Sequence, residues 1–290
     1  MNDVSRFFIG IDGGGTGCRV AISDHRGAVI ATSSGGPANY TSDPKGTVEN
    51  VRAALAMAAA DAGLSLMQVE SAPTHVGLAG IITENDAAQV AAALPLTRCV
   101  VSDDQTTTVA GALGAQNGAV ISIGTGSFVA IKRDAHIRYI GGWGLQLGDE
   151  ASGAWLGREA LKRCTYVLDG LVDTSDFMET LSQRFNHDPG QIIAFAKEAS
   201  AETYAGIAPN VIAAAKAQDP NATLILQSGA SYLNLCLASA NLHNDEVLCL
   251  TGGLGAFYEE WLDATYRPRL TGAQGNALDG ALFLARQATC

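Results

Sequence analysis

Charge is scarce in this chain. Only 16% of its 290 residues are charged and 6% are aromatic, and its five histidines are scattered. Eighteen Lys plus Arg stand against 29 Asp plus Glu, a net charge of -11, which repels a phosphate backbone or an anionic membrane surface and argues against nucleic-acid or membrane partners. A small anionic ligand stays compatible, because backbone N–H groups and a divalent cation hold phosphate locally. The six cysteines, Cys18, Cys99, Cys164, Cys236, Cys249 and Cys290, form no Cys-x-x-Cys pair and no cluster with histidine, so neither a disulfide framework nor a zinc site is expected. Buried thiols are the expectation, and the histidines, which lack ligand spacing, are expected in surface or capping roles. Met1–Arg6 lead straight into a strand-like run with no apolar stretch of the signal-peptide kind, and no run reaches the roughly 18 apolar residues of a membrane span. A cytoplasmic protein is expected. There is also no G-x-x-x-x-G-K-[ST], and no G-x-G-x-x-G that opens a helix inside a strand–helix–strand unit, so a P-loop and a dinucleotide fold both lack support.

What is abundant is apolar: 47% of the residues are hydrophobic. That suffices for a substantial core, and the length lies where single cores stop growing, so two lobes are expected. Phe7–Ile11 is a strand-like run that ends in Asp12-Gly13-Gly14-Gly15-Thr16-Gly17 and is followed by the alternating Cys18–Ser23 and then Val29–Thr32. Short turns can join three such strands only as an antiparallel meander. Residues 45–63 carry apolar side chains at helical spacing, 76–80 read as a buried strand, 84–94 as a helix and 99–102 as a strand. Asp103-Asp104-Gln105 then opens a helix that runs to about Gly114.

At Gly118 the pattern restarts. Ala119–Ile123, the turn Gly124-Thr125-Gly126-Ser127, Phe128–Lys132 and Ile137–Ile140 repeat the opening order about 115 residues later, and an internal duplication explains this economically. Residues 149–243 read as mostly helical, with breaks near Asn186–Gly190 and Asp219-Pro220 and with Asp149 and Glu150 opening the first long helix. A last strand, Val247–Leu250, runs into Thr251-Gly252-Gly253, and Leu278–Gln287 forms a closing helix.

A turn such as Asp12–Thr16 lets the backbone approach a ligand with its N–H groups facing it, which is what a polyphosphate needs; alone, such a turn could equally be a plain hairpin. Three glycine turns, each after a buried strand, make coincidence the poorer account.

The set Gly10–Thr16, Ile123–Ser127 and Leu250–Gly253 resembles the phosphate-1, phosphate-2 and adenosine motifs of the sugar kinase, actin and Hsp70 superfamily. More narrowly the chain is similar to BadF/BadG/BcrA/BcrD type ATPases and N-acetylglucosamine kinases, and most to bacterial glucosamine kinases. Ser34–Asn39, His75–Gly80, Phe185–Asp188 and Ala277–Leu282 add to the resemblance. It implies an α/β, two-lobed actin-like ATPase (ribonuclease H-like) fold, a duplicated βββαβαβα core with an ATP cleft between lobes. The lobes are expected at 1–116 and 117–276, with 277–290 packing back on the first.

The implied activity is phosphoryl transfer from ATP, with Mg2+, to the 6-hydroxyl of glucosamine; N-acetylglucosamine as acceptor and a sugar-sensing regulator without turnover are the alternatives. A dehydratase-activating ATPase would need cysteine near the second phosphate motif, and Ser122–Gly126 has none. Transfer needs a carboxylate that takes the hydroxyl proton. The resemblance puts that base on Asp104, and a one-residue slip would move it to Asp103. It also implies Gly13, Gly14, Gly15, Thr16, Gly124, Thr125, Gly126 and Ser127 at the phosphates, Gly252 and Gly253 at the adenosine, Asp12 at magnesium, and Asn39, Gly142, Trp143 and Asp149 at the sugar. Asn39 could instead be a turn residue, Trp143 core, and Asp149 or Glu150 a helix cap. The partners expected are a small amino sugar and ATP; the oligomeric state is left open, a homodimer among the options.

Overall fold

A computed structural model describes residues 7–288, so Met1–Arg6 and Cys290, read above, lie outside the described residues. Residues up to Ala115 and from Ala273 onward form one compact unit, and Gln116–Gly272 forms a second.

Unit 1 begins with β1 (Phe7–Gly13), β2 (Cys18–Asp24) and β3 (Val29–Gly35), the expected meander. Then come α1 (Pro44–Asp61), α2 (Leu66–Glu70), β4 (Thr74–Leu78), α3 (Glu84–Ala93), β5 (Cys99–Asp103) and α4 (Asp104–Leu113). The sheet order is β3-β2-β1-β4-β5, with β4 parallel to both β1 and β5. Alternation decides which face is which: Ile9, Ile11, Val76 and Leu78 are fully buried against Val51, Leu55 and Ala58 of α1. Asp43 caps α1, its carboxylate accepting the Gly46 N–H at 2.9 Å, and Pro44 occupies the first turn.

Unit 2 repeats the plan. β6 (Gly118–Ile123), β7 (Ser127–Arg133) and β8 (His136–Gly141) form its meander, followed by α5 (Gly153–Leu168), α6 (Asp176–Gln183), α7 (Pro189–Glu198), α8 (Ala201–Ala205), α9 (Ala208–Lys216), α10 (Pro220–Ala240), β9 (Val247–Thr251), α11 (Gly255–Tyr258) and β10 (Leu270–Thr271). Its order, β10-β9-β6-β7-β8, mirrors that of the first sheet, with β9 parallel to β6 and to β10. The helical breaks fall where expected: Asp188 and Asp219 cap α7 and α10, and each is followed by proline. Leu156, Ile207, Val211 and Leu237 pack on Ile121 and Ile123 to make the core of this unit.

The chain then returns to unit 1 as α12 (Ala277–Gln287), which lies on β1 and α4. Glycine permits this closeness. A Cβ on Gly10 would stand 2.7 Å from the Leu282 nitrogen, and one on Gly111 or Gly280 would enter the backbone of the facing helix. Helices α4 and α12 therefore touch main chain to main chain, which fixes where the first residues of α4 stand.

Three readings need correction. The first long helix of unit 2 opens at Gly153 with Ser152 as its cap, because Asp149 and Ala151 adopt left-handed φ of 59° and 71°, which no helix start can use. His75 is buried at 6% exposure rather than at the surface, since it occupies an inner strand. β10, only two residues long, and α2 were not expected at all. Among the described residues, no helix is long and apolar enough to cross a membrane.

Candidate active site

In unit 1 the candidate residues gather where the parallel strands end, the edge at which open α/β sheets bind ligands. The turn Gly13–Gly17 closes through the Gly14 N–H on the Gly17 carbonyl at 2.9 Å, leaving Gly15 and Thr16 exposed at its tip. Asp12, the penultimate residue of β1, forms an ion pair with Arg19, its direct partner across β1 and β2. Arg19 carried no signal in the sequence beyond lying two residues after the turn. Asn39 pairs with Ala79 beyond the end of β4, and its carbonyl accepts from Ser42 and Asp43 at 3.2 and 3.1 Å, so it organises a turn beside that edge.

The two adjacent aspartates are physically distinct. Asp103 caps α4: its carboxylate accepts the Thr106 N–H at 2.8 Å and the Thr106 hydroxyl at 2.7 Å. Asp104 is the first helical residue, and its carboxyl is pushed up to about 6, first by burial and then by the charges of Asp103 and Asp12. Proton affinity near neutrality is what a base for a sugar hydroxyl requires. The joint between these aspartates is held from β4: His75 Nε2 lies 3.0 Å from the Ser102 hydroxyl, which donates to the Asp103 carbonyl at 2.8 Å. Burial drives the His75 imidazolium down to about 4, against the pull of Asp103, so this ring is neutral at pH 7.

In unit 2 the turn Gly124–Ser127 is tied to the start of α5, whose Gly153 and Ala154 N–H groups donate to the Gly124 and Thr125 carbonyls at 2.8 and 3.1 Å. Thr125 stays exposed. Gly252 (φ 79°) lies against Ile123, so the turn after β9 abuts the strand that leads into the turn Gly124–Ser127. Gly142 (φ 73°) and Trp143 lie on the loop between β8 and α5, and Trp143 is 74% exposed rather than core. Asp149 closes that loop. It is 8% exposed, its carboxylate accepts the Gly144 N–H at 3.1 Å, and burial raises its pKa.

A cavity of about 950 Å³ beside α9, α10 and α11 escaped the sequence reading. Ile212, Lys216, Leu224, Gln227, Phe257 and Trp261 are among its lining residues, with Lys216 Nζ 4.3 Å from the centre of the Phe257 ring. Phe257 follows Gly252-Gly253 by four residues, the one hint the sequence held. A partly apolar wall with two aromatic side chains, Phe257 and Trp261, and with Lys216 and Glu260 as its charged groups suits a flat heterocycle.

Two five-stranded sheets of one strand order, each opening on a glycine turn, define a duplicated actin-like ATPase fold. The chain belongs to the BadF/BadG/BcrA/BcrD ATPase family, whose profile matches residues 9–261. It is 28% identical to glucosamine kinase GspK of Vibrio cholerae over 282 residues, covering 96% of this chain and 95% of that protein. It is 29% identical over 170 residues to an N-acetylmuramic acid/N-acetylglucosamine kinase of Clostridium acetobutylicum, covering 57% of this chain and 55% of that one. A solved structure from Chromobacterium violaceum, provisionally named an N-acetylglucosamine kinase, superposes with a TM-score of 0.85 at 31% identity, covering 97% of this chain and 99% of the other.

Proposed function

We propose that the chain is an ATP-dependent hexosamine kinase that phosphorylates glucosamine at the 6-hydroxyl. The observation that carries this reading is Asp104, a carboxylate with raised proton affinity at the edge where the glycine turn after β1 lies. Asp104 takes the hydroxyl proton as the oxygen attacks the terminal phosphorus of ATP; Asp103 caps the helix that holds it. Gly13, Gly14, Gly15 and Thr16 of unit 1, and Gly124, Thr125, Gly126 and Ser127 of unit 2, supply phosphate contacts. Gly252 and Gly253 pass the adenosine, whose base rests on the Phe257 wall of the cavity.

Asp12 suits Mg2+ by donor chemistry, a hard carboxylate oxygen. Mg2+ takes one or two carboxylates and otherwise phosphates and water, and would supply neutralisation of phosphate charge there. Arg19, the ion-pair partner of Asp12, stands beside that position.

The sugar reading uses Asn39, Gly142, Trp143 and Asp149. N-acetylglucosamine is the second reading, favoured by the exposed Trp143, which offers an apolar face to an acetyl group. A panel of glucosamine, N-acetylglucosamine and glucose with ATP and magnesium, read as ADP formation across several pH values, tests both. Highest kcat/KM on glucosamine, with the preference falling as the sugar amine deprotonates, is expected. Preference for N-acetylglucosamine moves the assignment to the second reading, and no activity on any of the three overturns both.

A further inference from the structure

The loop that joins β8 to α5 is unusual in its backbone. Gly141, Gly142 and Gly144 have φ of 76°, 73° and 83°, and Asp149 and Ala151 are left-handed without being glycine. Strain in non-glycine residues persists only where the surroundings enforce it. The enforcement centres on one side chain. One carboxylate oxygen of Asp149 accepts the Gly144 N–H at 3.1 Å. The other faces the turn Gly124–Ser127 so closely that a Cβ on Gly126 would stand 2.8 Å from it. The next residue is fastened as well, for the Ser127 hydroxyl donates to the Glu150 carbonyl at 2.7 Å. The Gly144 N–H is the hydrogen-bond partner that offsets the burial of this carboxylate.

We infer that Asp149 is a positioning residue that couples the two ligands: it links the phosphate turn Gly124–Ser127 to the loop bearing Trp143, so that nucleotide binding changes the affinity for the sugar. This rests on the kinase reading above. The physical reason is repulsion. A phosphate that enters the turn repels the carboxylate oxygen that faces Gly126, so Asp149 yields on the turn side. Gly144 is hydrogen-bonded to the opposite oxygen and moves with it. Trp143 is 74% and Leu147 81% exposed, an arrangement that leaves two large apolar side chains in water. Releasing the loop lets them bury against an acceptor, so the coupling is positive.

Calorimetry on the full chain tests this, with glucosamine titrated in the absence and presence of saturating AMP-PNP and Mg2+. In the wild type the nucleotide should tighten sugar binding on the order of 10-fold, within the usual range of coupling. Asp149→Asn keeps an acceptor for the Gly144 N–H but removes the charge that an entering phosphate repels; Gly126→Ala drives the turn off the carboxylate from the other side. Each should reduce the effect to less than about 2-fold. A second readout is Trp143 emission on adding AMP-PNP alone, in a Trp155→Phe, Trp261→Phe background, because Trp155 stands in the first turn of α5 and Trp261 lines the cavity. The change should be present with Asp149 and lost in Asp149→Asn. Equal sugar weakening with and without nucleotide in Asp149→Asn, with the Trp143 response intact, would make Asp149 a sugar contact only and overturn the proposal. A Trp143 response that depends on Asp149 in a chain that binds none of the three sugars supports the link and overturns the hexosamine reading instead.

Discussion

Replacing Asp104 by asparagine should make the protein at once more stable and nearly inactive. The carboxyl is lifted from 3.8 to about 6 by burial and by the charges of Asp103 and Asp12. A lift of that size corresponds to about 3 kcal/mol of preference for the neutral form. The sign follows from linkage. With the folded pKa above the unfolded one, the stabilising contribution of this group is fully present below pH 3.8 and is lost as pH rises through about 6. At pH 8 the ionised side chain therefore burdens the fold, and the uncharged amide relieves that burden. Unfolding by urea at pH 8 should give Asp104→Asn an advantage of about 1–3 kcal/mol, shrinking towards zero near pH 4. Turnover should fall by roughly 10² to 10⁴, the range for a positioned base, with nucleotide affinity largely kept. In the wild type kcat/KM should drop about tenfold per pH unit below pH 6, because only the carboxylate accepts the proton. A variant that is less stable than wild type at pH 8, or one that keeps wild-type turnover, would refute the reasoning. If Asp103→Asn is dead while Asp104→Asn works, the base lies one residue earlier.

Asp103→Ala should cost about 1 kcal/mol in thermal or urea unfolding by removing the cap of α4, whereas Asp103→Asn, which can cap as well, should cost little. Thr125→Val should weaken nucleotide binding by about 1 kcal/mol, roughly fivefold, and leave sugar binding in the absence of nucleotide unchanged; calorimetry with each ligand separately decides this. Gly280→Ala should destabilise by about 1–3 kcal/mol through overpacking against Thr107 and Gly111, and should lower kcat more than it raises KM because α4 carries Asp104.

Much of this architecture could be read from local pattern. The two meanders, the glycine turns and the aspartate pair at the end of β5 are announced by residues adjacent in the chain, so alternation and helical spacing find them. The near-repeat at Gly118 foretold that both sheets share one strand order. Features created by distant residues were silent. β10 is a strand only because β9 lies beside it, and His75 is buried only because β4 is an inner strand. Asp149 looked like a helix opener from its sequence position, yet a hydrogen bond from Gly144 to its carboxylate and its close approach to Gly126 hold it left-handed. Arg19 and the cavity of Lys216 and Phe257 gave no motif, since one depends on cross-strand register and the other on three helices meeting.

The return of α12 to unit 1 has a consequence for how the chain is made. Unit 2 is continuous in sequence and can close its core as soon as residue 272 has emerged, whereas unit 1 is synthesised first and completed last. Until residues 277–287 exist, the face of β1 at Gly10 and the side of α4 at Gly111 have nothing to pack on. The helix that carries the proposed base therefore gains its support only after unit 2 has been translated. A chain that stops short of residue 277 would leave that side of the first sheet and of α4 uncovered while the whole of unit 2 is already present.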